Sequence, residues 1–206
     1  MKKILCLLAA LHLGMACAQP GQVIIVRHGE KNTVTKELTG AGIERVEALS
    51  SYLTQSNSGP GFVGNAGLTN TTLFDYGIPA ALFAARPVQF SDDYTVRCIQ
   101  TLIPTGLRLN LPVHSPYGPG QEQELAQYIL NEPSFDGKNI VICWHHTFIA
   151  LLIEAFGYIP NPNIVPTYPP LRFDLVWVMT FPVPDPPTVV DPILQELLFD
   201  DPTTFP

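Results

Sequence analysis

Charge is scarce in this chain. Only 14% of its residues are charged, and eleven Lys and Arg face eighteen Asp and Glu, for a formal charge of −7. A nucleic-acid surface needs a concentrated basic face, so the balance argues against that class. Any anion site must be a local gathering of arginines against an acidic background. Low charge here does not mean disorder, because hydrophobic residues make up 46% of the sequence, a globular composition. Cysteine is also scarce. Of four, Cys6 and Cys17 lie in or beside the N-terminal segment, leaving Cys98 and Cys143. Two cysteines do not make a disulfide scaffold. Cys143 sits in an apolar run and reads as a small buried hydrophobe, while a Cys98–Cys143 bridge stays open for an oxidising compartment.

Long apolar runs are missing too. The stretch from Ile4 to Leu13 is too short to span a bilayer, and no other segment could cross one. Its setting reads instead as a signal peptide over residues 1–18. Lys2 and Lys3 supply the positive end, Ile4 to Leu13 the apolar region, and Ala16-Cys17-Ala18 the small-x-small pattern before cleavage between Ala18 and Gln19. A buried N-terminal helix fits that layout less well. A lipid anchor at Cys17 ranks second, because Gly14-Met15-Ala16-Cys17 lacks a leucine three residues before the cysteine. The expectation is an exported, periplasmic or secreted protein. At 206 residues, the rest (19–206) reads as one domain with a proline-rich tail.

Against this background one run stands out. Val23-Ile24-Ile25-Val26 reads as a fully buried strand, and it delivers Arg27 and His28 into a glycine turn. Imidazole is largely unprotonated near neutral pH and can act as a nucleophile. A neighbouring guanidinium suits a phosphate better than a metal cation.

The remaining pattern alternates strands and helices. A loop over Gly29 to Lys36 leads to a helix capped by Thr39, with Ile43, Val46, Leu49 and Leu53 at helical spacing. Residues 56–72 are rich in Gly, Ser, Asn and Thr and read as a long loop bordering the substrate. Ala80 to Ala85 is a short strand. A helix carries Arg97, Ile99, Leu102 and Ile103, with Pro104 bending or ending it, and Leu109 to Val113 suggests another strand. Gln121 to Leu130 reads as a helix with Leu125, Tyr128 and Ile129 on one face. Ile140 to Trp144 is a second buried strand, ending in His145-His146, and a helix from Ile149 to Phe156 stops at Gly157. Phe173 to Phe181 is the last strand, and Ile193 to Phe199 a short helix in an otherwise extended tail. The expected fold is a three-layer α/β/α sandwich around a mainly parallel sheet.

Ligands of parallel α/β sheets gather at the carboxyl ends of strands. Three of the four histidines beyond residue 18 fall there, and Arg97 stands near a helix start, where anions are favoured. Two arginines and two histidines converging would suit a phosphoryl group in transfer. Zinc on three histidines is the weaker reading, since Arg27 would repel the cation and no Cys/His spacing fits. His114 reads as a surface residue, Arg86 as a strand-end residue, Trp144 and Trp177 as core, and Glu30–Lys31 as a local ion pair.

Together these motifs resemble the histidine phosphatase superfamily, with its phosphoglycerate mutase-like fold. Arg27-His28-Gly29-Glu30 is similar to its signature, and Leu38-Thr39-x-x-Gly42 and Arg97-Cys98-Ile99-Gln100-Thr101 look like its following helices. The run Phe135 to His146 resembles a branch in which Cys-Trp-Glu-His ends the strand, and Phe173 to Val178 that branch's final strand. The resemblance implies His28 as nucleophile, forming a phosphohistidine that water hydrolyses. It implies Arg27 and Arg97 as phosphoryl clamps, a second histidine on the same oxygens, a small phosphorylated substrate, and neither metal nor cofactor. Cys143-Trp144 favours His146 as that second histidine, while the common family form selects His145. Glu30 joins Arg27 and Arg97 in the substrate-binding set. The proton donor stays open among Asp92, Asp93, Glu30 and a protonated His145. A mutase fits an exported protein less well than a phosphatase. A non-catalytic anion-binding protein is the rival from another class.

Overall fold

In the computed structural model, the described residues are 19–54, 77–87, 89–90, 93–94, 96–158, 171–182, 187–189 and 193–194. The leader, Cys17, the 56–72 loop and Asp92 lie outside them.

Strand β1 (Gln22–Arg27) is buried along its whole length. Two covered faces explain why its sequence is continuously apolar rather than alternating. Burying each of Val23 to Val26 contributes about 1.5–3 kcal/mol. Its neighbour β6 (Asn139–Trp144), equally buried, runs parallel to it with Val23 opposite Ile140 and Arg27 opposite Trp144. β2 (Ala81–Ala84) pairs parallel with β6, and β5 (Val113–His114) parallel with β2. On the other side β7 (Leu175–Thr180) is antiparallel to β1, and β8 (Thr188–Val189) and β9 (Ile193–Leu194) are antiparallel to β7. The order is β5-β2-β6-β1-β7-β8, with β9 also on β7. A separate two-stranded ribbon joins β3 (Gln89–Phe90) to β4 (Asp93–Tyr94).

Helix α1 (Gly40–Leu53) packs on α2 (Arg97–Leu109), and α3 (Glu122–Asn131) on α4 (Ile149–Ala155), giving the expected three-layer α/β/α sandwich. Thr39 caps α1 by accepting from the Gly42 amide at 3.1 Å, and Gly157, at φ +91°, ends the α4 segment. Among the described residues no helix is long and apolar enough to cross a membrane.

Several local expectations are corrected. Pro104 neither ends α2 nor shortens it; the helix continues to Leu109 and stops at Asn110, which is left-handed at φ 53°. The strand read from Leu109 therefore shrinks to Val113–His114. Ile43 is exposed, because the first turn of α1 meets the Glu30 backbone through Gly42, leaving Val46, Leu49, Tyr52 and Leu53 to form the buried face. Tyr128 is exposed on α3 as well. Ile193 and Leu194 pair with Val176 and Leu175 as strand rather than helix, satisfying backbone groups along β7. The strand expected from Phe173 begins only at Leu175, so Phe173 and Asp174 belong to the loop before it. His114 is exposed, and Trp144 and Trp177 are core.

Candidate active site

The parallel register of β1 and β6 decides the site. Because Arg27 lies opposite Trp144, His28 and His145 leave neighbouring strands side by side. Their ring centroids are 6.2 Å apart and the rings meet edge-on at 75°. His28 Nδ1 lies 2.8 Å from the Gly29 carbonyl oxygen. A carbonyl only accepts, so Nδ1 carries the proton and Nε2 the lone pair. Burial pushes the His28 pKa down to about 2, against the Gly29 bond, with Arg97, Arg27 and His145 adding to the fall. The imidazole is therefore neutral across the ordinary pH range.

Arg27 is buried at the end of β1. Its Nη1 donates to the Arg172 carbonyl at 2.6 Å, and its Cζ lies over the Phe173 ring, 3.8 Å from the centroid. The Phe173 ring centroid is also 5.9 Å from that of His28. Arg172 is fixed by a two-pronged pair with buried Asp174, both bonds at 2.6 Å. This wall exists because β7 is antiparallel to β1: the segment entering β7 must lie at the edge where β1 ends. Sequence reading placed Phe173 and Asp174 inside the strand and assigned them no role at the site. The polar–aromatic–acidic run just before an apolar strand was the available signal.

Arg97 is the first residue of α2 and equally buried. Its Nη1 donates to the Lys36 carbonyl at 2.7 Å. Lys36 adopts a left-handed conformation at φ 65°. The turn that imposes it is built by Asn32, whose Oδ1 accepts from the Val34 and Thr35 amides at 2.7 and 3.0 Å while its carbonyl accepts from the Lys36 amide at 3.1 Å. The Gly29 to Lys36 loop thus anchors the second arginine.

Glu30 does not pair with Lys31 as expected. Its Oε1 accepts from Nε and Nη2 of buried Arg45 on α1, the first at 2.8 Å. Arg45 carried no signal of its own, since an arginine in a helix is usually solvated. His146 begins a 3-10 turn, His146–Phe148, that leads into α4. Burial, Arg27, His145, Lys31 and Arg97 lower its pKa to about 4, so it lies within the same electrostatic field. Asp93 lies in β4, and Asp92 is outside the described residues. Arg86 bonds the Gln121 side chain at 2.8 Å, holding the loop before α3 to the end of β2. Cys98 and Cys143 are free, buried thiols, and burial beside Cys98 pushes the Cys143 thiol up. Among the described residues, no group of three or more His, Cys, Asp and Glu could hold a metal ion.

Two buried guanidiniums and two imidazoles around one strand edge form a cradle for a tetrahedral oxyanion. No protein-family model matches the sequence. No curated protein matches it either. Solved structures do match its shape. The protein histidine phosphatase SixA, solved with tungstate, aligns at a TM-score of 0.55 with 16% identity, over 84% of this chain and 97% of that one. The phosphoserine phosphatase of Entamoeba histolytica, solved with 3-phosphoglyceric acid, aligns at 0.50 with 14% identity, over 85% and 98%. The chain therefore has the fold of these two proteins, a phosphoglycerate mutase-like fold.

Proposed function

We propose that this protein is an exported phosphatase that hydrolyses phosphomonoesters through a phosphohistidine on His28. The observation that carries the reading is the setting of His28: buried beyond the end of β1, with Nδ1 tied to the Gly29 carbonyl. That bond leaves the Nε2 lone pair for attack. Arg27 and Arg97 would grip the non-bridging oxygens, and His145, edge-on to His28, would bind the same phosphoryl group. His146 stands as a further imidazole beside Arg27. Sequence matching favoured His146 for the opposing role; the ring contact with His28 favours His145.

In the first step the Nε2 lone pair forms a bond to phosphorus and the P–O bond to the leaving group breaks. The electron pair departs on that oxygen, which takes a proton. The cation on the phosphorylated imidazole is shared with the Gly29 carbonyl through Nδ1–H. In the second step a water oxygen attacks phosphorus, the P–N bond breaks, and Nε2 regains its lone pair as phosphate and a proton leave. The arginines act throughout by stabilising charge that spreads over the equatorial oxygens. The tungstate held by the SixA structure is a tetrahedral oxyanion of the kind this cradle suits. Export rests on the positive, apolar and small-x-small order of residues 1–18.

The test is release of phosphate from an aryl phosphate with a good leaving group by the mature protein, with His28→Ala as control. Turnover that vanishes with His28, and a trapped phosphoprotein that vanishes with it, support the reading. Turnover unaffected by the substitution, or none at any pH, overturns it. Inorganic phosphate binding retained without turnover would mark an anion-binding protein instead.

A further inference from the structure

The nucleophile is oriented by the backbone of a glycine, intrinsically the most permissive residue type. Something must hold that backbone still. Gly29 N–H donates to Thr101 Oγ1 at 3.1 Å. Thr101 is buried on α2, one turn beyond Arg97, and its hydroxyl donates to the Arg97 carbonyl at 2.8 Å. One hydroxyl thus accepts from the peptide that follows the nucleophile and donates to the residue proposed as the second clamp. On the far side of Gly29, the Glu30 carbonyl accepts from the Thr39 amide at 2.9 Å. The turn is anchored on either side of the Gly29 carbonyl, which faces His28 Nδ1.

We propose that Thr101 is a positioning residue: it locks the His28–Gly29 peptide to the first turn of α2, so that the Nε2 lone pair and the Arg97 guanidinium keep one fixed relation. The inference rests on the reading of His28 as nucleophile. The hydroxyl cannot be replaced by shape alone. Valine has the same outline but leaves the buried Gly29 amide without an acceptor. Serine keeps both bonds. The other anchor, at Thr39, acts through backbone and survives either substitution. Thr101 therefore sets orientation rather than the presence of the turn.

Wild type, T101S, T101V and H28A are compared on an aryl phosphate, at a temperature where thermal melting shows all four folded. The expected result is a kcat for T101V lowered about 10- to 100-fold by misplacement of the attacking nitrogen, with T101S close to wild type. KM for T101V stays within about threefold, because binding by the two guanidiniums is kept. Nitrogen-15 NMR of labelled histidine supplies a second readout, with the His28 signals identified by their loss in H28A. Wild type and T101S should show a single Nδ1–H tautomer, and T101V a mixture. A T101V enzyme with wild-type kcat, or with a raised KM and unchanged kcat, overturns the proposal. If wild type shows no His28-dependent turnover, the phosphatase reading fails separately. The tautomer then decides: unchanged in T101V it overturns the role of Thr101, and mixed it supports it.

Discussion

The Arg27 guanidinium lies over the ring of Phe173, with Cζ 3.8 Å from the ring centroid. The same ring stands 5.9 Å from the His28 imidazole, so one aromatic ring borders both the proposed nucleophile and a proposed clamp. A cation over an aromatic face is worth about 0.5–2 kcal/mol, the larger figure when water is excluded. Phe173→Leu removes the face but keeps an apolar wall, and the Arg172 carbonyl still receives Nη1. Binding of inorganic phosphate should weaken about 2- to 30-fold in this variant, the range that interaction energy corresponds to. Calorimetric titration checks it, and Phe173→Trp should bind as well as wild type. Equal affinity of Phe173→Leu and wild type would show that the ring fills space without holding Arg27.

Glu30 stands in the turn after His28, and its Oε1 is engaged by Arg45 of α1. That geometry makes it a tie between helix and turn. Glu30→Gln keeps the shape and loses the charge. The expected outcome is a lower melting temperature, from weakening a largely buried charge-assisted pair by about 1–3 kcal/mol, with kcat on an alkyl phosphate kept within about tenfold. A proton donor behaves differently, losing about 10²- to 10⁴-fold on poor leaving groups while sparing aryl phosphates. The ratio of the two losses distinguishes the roles.

The legible parts of this chain were those written in consecutive residues. Val23–Val26 and Ile140–Trp144 announce themselves as buried strands because two covered faces leave no alternation, and each ends on a histidine. Arg97 was legible because it opens an amphipathic helix. What could not be read was assembled through space. Phe173 reaches the site only because β7 runs antiparallel to β1, and no local pattern states the direction of a strand. Arg45 pairs with Glu30 fifteen residues away, and Thr101 meets Gly29 across seventy-two. Ile43 shows the reverse error: its spacing matched the apolar stripe, but the close approach of Gly42 to Glu30 turned it to solvent.

The acid behaviour follows from His28 and His146, whose folded pKa values fall to about 2 and about 4 from an ordinary 6.5. Below 6.5 the unfolded chain takes up protons that the folded chain refuses. Stability is therefore full above that pH and declines as pH falls toward the folded values, with a single such group contributing at most about 1.4 kcal/mol per pH unit. Melting at pH 7 and pH 5 should show a smaller drop for His28→Asn than for wild type. On the proposed mechanism His28 stays unprotonated over this range, so kcat/KM on an aryl phosphate should persist at pH 5. An acid limb in the rate profile with a midpoint near 6.5 that reports protonation of His28 would contradict the buried, neutral state.

Gly42 is the point where α1 touches the turn after His28. A Cβ on Gly42 would collide with the Glu30 carbonyl oxygen, and one on Gly29 would lie 2.8 Å from the Gly42 carbonyl oxygen. Both obstacles are backbone, so neither can swing aside as a side chain would. The Glu30 carbonyl is also the acceptor for the Thr39 amide, so pushing it away disturbs the start of α1 as well. Gly42→Ala should cost about 1–3 kcal/mol in urea unfolding, the usual range for overpacking, despite alanine's better helix propensity. It should also lower kcat, because the displaced segment is the one that carries the Gly29 carbonyl to His28. Gly40→Ala is the matched control. It lies two residues away on the same helix, where a Cβ would meet nothing within 4 Å. That variant should keep wild-type stability and activity, and a similar loss in both would assign the effect to α1 as a whole rather than to its contact with the turn.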